Sequence, residues 1–76
     1  MEWIIAVVAW QDNIGTLLLQ RDDETLFTLR VSDMSPNHIA KVIANKFGIP
    51  KKRVMYHETY QKNYRRYTYM KFLVLE

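Results

Sequence analysis

The residues best suited to do chemistry lie in the last third of the chain. All five tyrosines, Tyr56, Tyr60, Tyr64, Tyr67 and Tyr69, fall there, interleaved with Lys62, Arg65 and Arg66 and followed by Lys71. The run Lys51-Lys52-Arg53 leads into them. Cations hold phosphates through charge and counterion release, and flat rings stack on unpaired bases, so this mixture suits single-stranded or structured nucleic acid. Tyr and Arg are also enriched at the energetic centres of protein interfaces. The same surface therefore suits a protein partner, either an unrelated target or a second copy in a homodimer. The candidate binding set is Lys51, Lys52, Arg53, Tyr56, Tyr60, Lys62, Arg65, Arg66, Tyr67, Tyr69 and Lys71. Plain propensity competes with this reading, because tyrosine favours strands and half-exposed sheet surfaces, where its ring packs and its hydroxyl stays wet.

Catalysis finds little support. His38 and His57 are the only histidines. An active site would need both to converge beside a carboxylate. Yet His57 and its neighbour Glu58 point to opposite faces of a strand. No helical or loop spacing gathers metal ligands, and the acidic tip Asp22-Asp23-Glu24 lacks the periodicity and central glycine of a calcium loop. With only Gly15 and Gly48 available, neither glycine-rich phosphate motif can be built. Ser32, Asp33 and Ser35 read as turn and cap residues. No catalytic residue, metal or cofactor is expected.

Composition bounds the setting. A chain of 76 residues with 49% apolar content reads as one ordered domain, residues 1–76, near the size where a single core is only marginally sufficient. The absence of cysteine excludes disulfides and thiolate metal sites and fits a cytoplasmic protein. The apolar run Trp3 to Trp10 is too short to span a bilayer, and Glu2 sits where a signal peptide wants positive charge, so no membrane role is expected. The net charge of +3 hides a division. Residues 1–34 hold two cations against six carboxylates, a balance of −4, and residues 35–76 hold nine against two, a balance of +7. A basic half suits a polyanionic partner; two oppositely charged faces also keep a small protein soluble.

The elements that must position these residues follow from punctuation and period. Ser35 and Pro36 open a helix, and Lys46, Gly48 and Pro50 close it. Ile39, Val42, Ile43 and Phe47 form its apolar stripe, and Asn37, Lys41 and Asn45 line the opposite face. Around it everything reads as strand. Glu2 to Gln11 is a two-faced apolar run, expected to be central and covered on both sides. Trp3 and Trp10 point to opposite faces of it, and the simplest expectation is that both are partly buried. Asn13 and Gly15 supply positive φ for the following turn, and Thr16 to Arg21 is a second strand. Thr25 to Val31 alternates, with Phe27, Leu29 and Val31 on one side. After the helix come Val54 to Tyr60 and Arg65 to Leu75, the latter expected inside the sheet.

The order β-β-β-α-β-β predicts an α+β two-layer sandwich, a mainly antiparallel sheet with one helix across one face. A two-residue turn at Lys62-Asn63 would set Tyr56 opposite Tyr69, Glu58 opposite Tyr67 and Tyr60 opposite Arg65. That register puts Tyr56, Tyr60, Arg65, Tyr67, Tyr69 and Lys71 on one face. Met55, His57, Thr68, Met70, Phe72 and Val74 then face the helix.

The stretch from Val42 to Pro50, ending Phe47-Gly48-Ile49-Pro50, is similar to the helix end of ubiquitin-like β-grasp proteins. The chain departs from that family by having three strands before the helix instead of two. It also ends in Leu75-Glu76, where a conjugated modifier carries two glycines. In size and architecture the chain resembles small phage- and mobile-element-encoded proteins, among them several anti-CRISPR proteins. That resemblance implies an inhibitor that works by occupying a partner's surface.

Overall fold

Period-2 apolar patterning and one well-punctuated helix translate directly into the architecture. A computed structural model describes residues 1–61 and 67–75. They form β1 (Glu2–Gln11), β2 (Ile14–Arg21), β3 (Glu24–Val31), α1 (Pro36–Phe47), a 3₁₀ turn at Lys51–Arg53, β4 (Val54–Tyr60) and β5 (Tyr67–Val74). The five strands make one antiparallel sheet in the order β3-β2-β1-β5-β4, with α1 packed on one face. This is the α+β sandwich that the element order predicts. No helix among the described residues is long and apolar enough to cross a membrane.

The helix ends follow the sequence signals. The Ser35 hydroxyl accepts a hydrogen bond from the His38 backbone N–H at 3.2 Å, and Asp33 accepts one from the Ser35 N–H at 2.8 Å. At the other end Gly48 takes the left-handed conformation (φ 66°), and the Ile49 N–H reaches back to Ala44 O at 3.0 Å. The buried stripe is Ile39, Ala40, Ile43 and Ala44, with Val42 and Phe47 at its partly buried margin. The two alanines were not among the expected core residues; their small side chains let the helix backbone approach the sheet.

Beneath α1 lies a dry core. Ile4, Ala6 and Val8 of β1, Leu17 and Leu19 of β2, and Met70, Phe72 and Val74 of β5 all point to the helix and are buried. Phe27, Leu29 and Val31 close this layer at the β3 edge, as their alternation predicts. Gly15 does not supply the turn. Among the non-glycine residues it is Asp12, with Asp22 and Asp23 of the next turn, that takes positive φ. Gly15 is instead needed for packing: a Cβ there would meet Val8 Cγ1 at 3.0 Å, Val31 Cγ2 at 3.1 Å and Trp10 Cζ3 at 3.2 Å.

Two expectations need correction. β1 is central, but only its even-numbered side is covered by the helix; among the described residues no element packs on the other. The β4–β5 register also differs. Tyr56 pairs with Phe72, Glu58 with Lys71 and Tyr60 with Tyr69, with a bulge between Tyr56 and Glu58. The bulge inserts His57 as an extra residue, and it reverses the parity of β4 before that point. Tyr56 therefore lies on the helix side, its ring edge-on to Phe72 at 5.7 Å. Met55 and His57 move to the open side. The turn expected at Lys62-Asn63 lies outside the described residues, as do Tyr64, Arg65 and Arg66.

Candidate interaction surfaces

The strand registers arrange the open sheet face into rows. Across one end run Met55, Leu73 and Trp3; next come Glu58, Lys71, Ile5 and Gln20; then Tyr60, Tyr69, Val7, Leu18 and Thr28; and last Tyr67, Ala9, Thr16 and Arg30. The middle of this grid is apolar because β1 is apolar on both sides of its pleat. Val7 is only 6% exposed, shielded by the side chains around it, whereas Trp3 is 43%, Met55 50% and Tyr67 38% exposed. Trp10, of opposite parity, lies on the helix side against the core and donates its indole N–H to the Met34 sulfur. The two tryptophans are thus not equivalent: Trp3 is the surface one.

The rings on the open face are engaged with their neighbours. The Lys71 ammonium lies 4.3 Å from the centre of the Trp3 ring, a cation–π contact. The His57 imidazole meets the same indole edge-on at 5.3 Å. Tyr60 and Tyr69 stack at 5.3 Å with a 10° interplanar angle. Drawn from β1, β4 and β5, these groups form cross-strand contacts that fix side-chain orientation on an otherwise exposed surface. Charge on the grid is sparse: Lys71 faces Glu58 across the ladder, and Arg30 stands at the far margin.

The remaining cations of the candidate set are elsewhere. Lys51 donates to the Asn37 side-chain oxygen at the start of α1. Lys51, Lys52 and Tyr56 line a shallow cleft of about 490 Å³ with Pro36, Asn37, Ala40 and Val54, between the helix and β4. Tyr56 closes its polar end on Thr59, hydroxyl to hydroxyl at 2.5 Å. Arg53 is exposed at the end of the 3₁₀ turn, its backbone oxygen accepting from the Leu75 N–H. The single basic, tyrosine-lined track expected from the sequence is therefore two surfaces: Tyr60, Tyr67, Tyr69 and Lys71 on the open sheet face, and Lys51, Lys52 and Tyr56 on the helix side. Lys62, Arg65 and Arg66 lie outside the described residues.

The histidines are also separated by the sheet. His38 is carried by α1, and His57 packs on Trp3 on the opposite face, so the pair does not form the dyad an active site would need. What sequence reasoning missed is the apolar part of the open face, Ile5, Leu18, Met55 and Leu73. The signal was present as the odd-numbered half of the β1 run; what no periodicity specifies is whether a second layer covers it.

Compared with protein-family models, curated proteins and solved structures, the chain finds no match.

Proposed function

We propose that the protein is a non-catalytic binding protein that docks its open sheet face onto another protein. One observation carries the reading: an apolar grid centred on Trp3, Ile5, Val7, Leu18 and Leu73, rimmed by Met55 and tyrosines, lies on a face that no described element covers. Interfaces of this kind combine an apolar centre and aromatic anchors with few charges, and the balanced Lys71–Glu58 pair suits them. An occupant-blocking mode, as in small inhibitors, and assembly with a second copy both use such a face.

A nucleic-acid role for the same tyrosines is the second reading, supported by Tyr67, Tyr69 and Lys71 sharing one face. The protein reading is favoured for this face because base stacking there would need cations beside Tyr60, Tyr67 and Tyr69, and Lys71 is laid on Trp3 while Lys51 and Lys52 stand across the sheet beside Tyr56.

Photo-crosslinking separates the two. A benzophenone side chain placed at Met55 should trap one defined protein species, another chain or a second copy, in cells that express the protein. Leu73→Lys should abolish the adduct without unfolding the chain. Adducts of many sizes, an adduct unchanged by Leu73→Lys, or crosslinking at Met55 only to nucleic acid would overturn the assignment.

A further inference from the structure

The cations excluded from the open face form a surface of their own. Between residues 34 and 57 the chain contains no Asp or Glu, but it holds Lys41, Lys46, Lys51, Lys52 and Arg53. These residues make up α1, the 3₁₀ turn and the first part of β4, so the entire helix layer is cationic. Its outward stripe is Asn37, Lys41 and Asn45, one helical turn apart and all exposed. The hydrogen bond from Lys51 to the Asn37 side chain brings the 3₁₀ turn alongside that stripe, Lys52 lines the same cleft, and Arg53 follows, exposed, at the end of the turn. Asp33, the nearest carboxylate before the helix, is occupied by the capping turn through its contact with the Ser35 N–H.

We infer that this helix layer is a second binding surface, one that grips the phosphate backbone of duplex nucleic acid. Its chemistry separates that ligand from an acidic protein. The outward stripe exposes one lysine and two asparagine amides, the 3₁₀ turn beside it adds Lys51 and Lys52, and the large exposed side chain at its margin is Tyr56. Protein interfaces need apolar anchors at their centre and are depleted in lysine, whereas phosphate contacts are made by Lys, Arg and Asn side chains. The one exposed ring at its margin, Tyr56, is tied by its hydroxyl to Thr59 and edge-on to Phe72, so the surface offers a single engaged ring and no platform on which successive unpaired bases could stack. Binding is therefore expected to be independent of sequence and steeply dependent on salt. The surface lies on the other side of the sheet from the proposed protein-docking face, and the two stand or fall separately.

The test is a fluorescence-anisotropy titration of the full chain with a 20-base-pair DNA duplex across roughly 50 to 200 mM salt. Four phosphate contacts, from Lys41, Lys51, Lys52 and Arg53, give a slope of log K on log salt of about −3.6, a loss of roughly a hundredfold over that range. The Lys51→Gln, Lys52→Gln double variant should bring the slope to about −1.8. Tyr67→Ala, on the opposite face, should leave it unchanged. Four outcomes would overturn the inference: no binding at 50 mM salt, a slope unaffected by the lysine substitutions, a strong preference for single strands that Tyr56→Ala or Tyr67→Ala removes, or equal affinity for a poly-glutamate chain of matched charge. Circular dichroism of each variant shows that the fold is intact.

Discussion

The two faces of the one sheet are built from the same strands and differ in what they ask of their residues. On the helix side Ile4, Leu17, Leu19, Ile39, Ile43 and Phe72 are fully buried, and no buried polar or charged side chain occurs among the described residues. On the open side apolar residues alternate with Lys71, Glu58, Gln20, Thr16, Thr28 and Arg30 across the rows. The first face gains its stability from excluded water and close packing. The second keeps its apolar patch orderly through cross-strand ring and cation contacts, each worth far less. A domain this small concentrates its folding energy on one side and leaves the other disposable for binding.

Adjacent residues of β5 give the sharpest test. Phe72 points into the helix layer at 0% exposure, and Leu73 points to the open face beside Trp3 and Met55. Phe72→Ala should cost about 3–5 kcal/mol, and with a total stability of roughly 4–11 kcal/mol for a chain of this length much of the population would unfold. Leu73→Ala should cost about 1–2 kcal/mol, since its side chain is only partly buried and its removal opens no closed cavity. Urea denaturation followed by tryptophan fluorescence measures both. Equal losses would mean that the open face is as closed as the other in the isolated chain, and the docking proposal would lose its surface.

How much of this division was legible in the sequence depended on how local its causes are. The helix could be read from end to end because Ser35, Pro36 and Gly48 act on backbone groups within one turn of themselves. The strands of β1, β3 and β4 could be read from their alternation and boundaries. The faces of β4 could not, because a single bulged residue, His57, reverses the parity of Met55 and Tyr56, and nothing in the residue types demands a bulge there. For the same reason the candidate track came apart: Tyr56 and Tyr60 share a parity by number but not in the sheet. The uncovered side of β1 was illegible for a different reason. An apolar run says that both faces avoid water; it does not say whether this chain or another supplies the cover.

Gly15 extends the comparison to β2. Its missing side chain lets Val8, Val31 and Trp10 close over one spot on the covered face. Gly15→Val should therefore overpack that face and cost about 1–3 kcal/mol. Thr16→Val, one residue on and exposed on the open face, should stay within about 0.5 kcal/mol of the parent. Thermal unfolding of the pair gives the result directly. A tolerated valine at position 15 would show that the core has slack, and the contrast in packing between the faces would weaken accordingly.

The smallest effect expected is the contact between Lys71 and Trp3, and it bears most directly on function. With the ammonium 4.3 Å from the ring centre at a half-exposed site, the coupling should be about 0.5–1 kcal/mol. A double-mutant cycle with Trp3→Leu and Lys71→Met isolates it, because each replacement keeps apolar bulk while removing one partner of the pair. His57 also touches the indole, so the cycle is repeated with His57→Leu in place of Lys71→Met to separate the two neighbours. Coupling confined to Lys71 would show that the cation holds the largest ring of the open face in a set orientation at little energetic cost. A docking partner could then displace Lys71 from Trp3 without unfolding anything. A coupling near zero would instead leave Trp3 unrestrained, and the partner would have to supply the energy of ordering it.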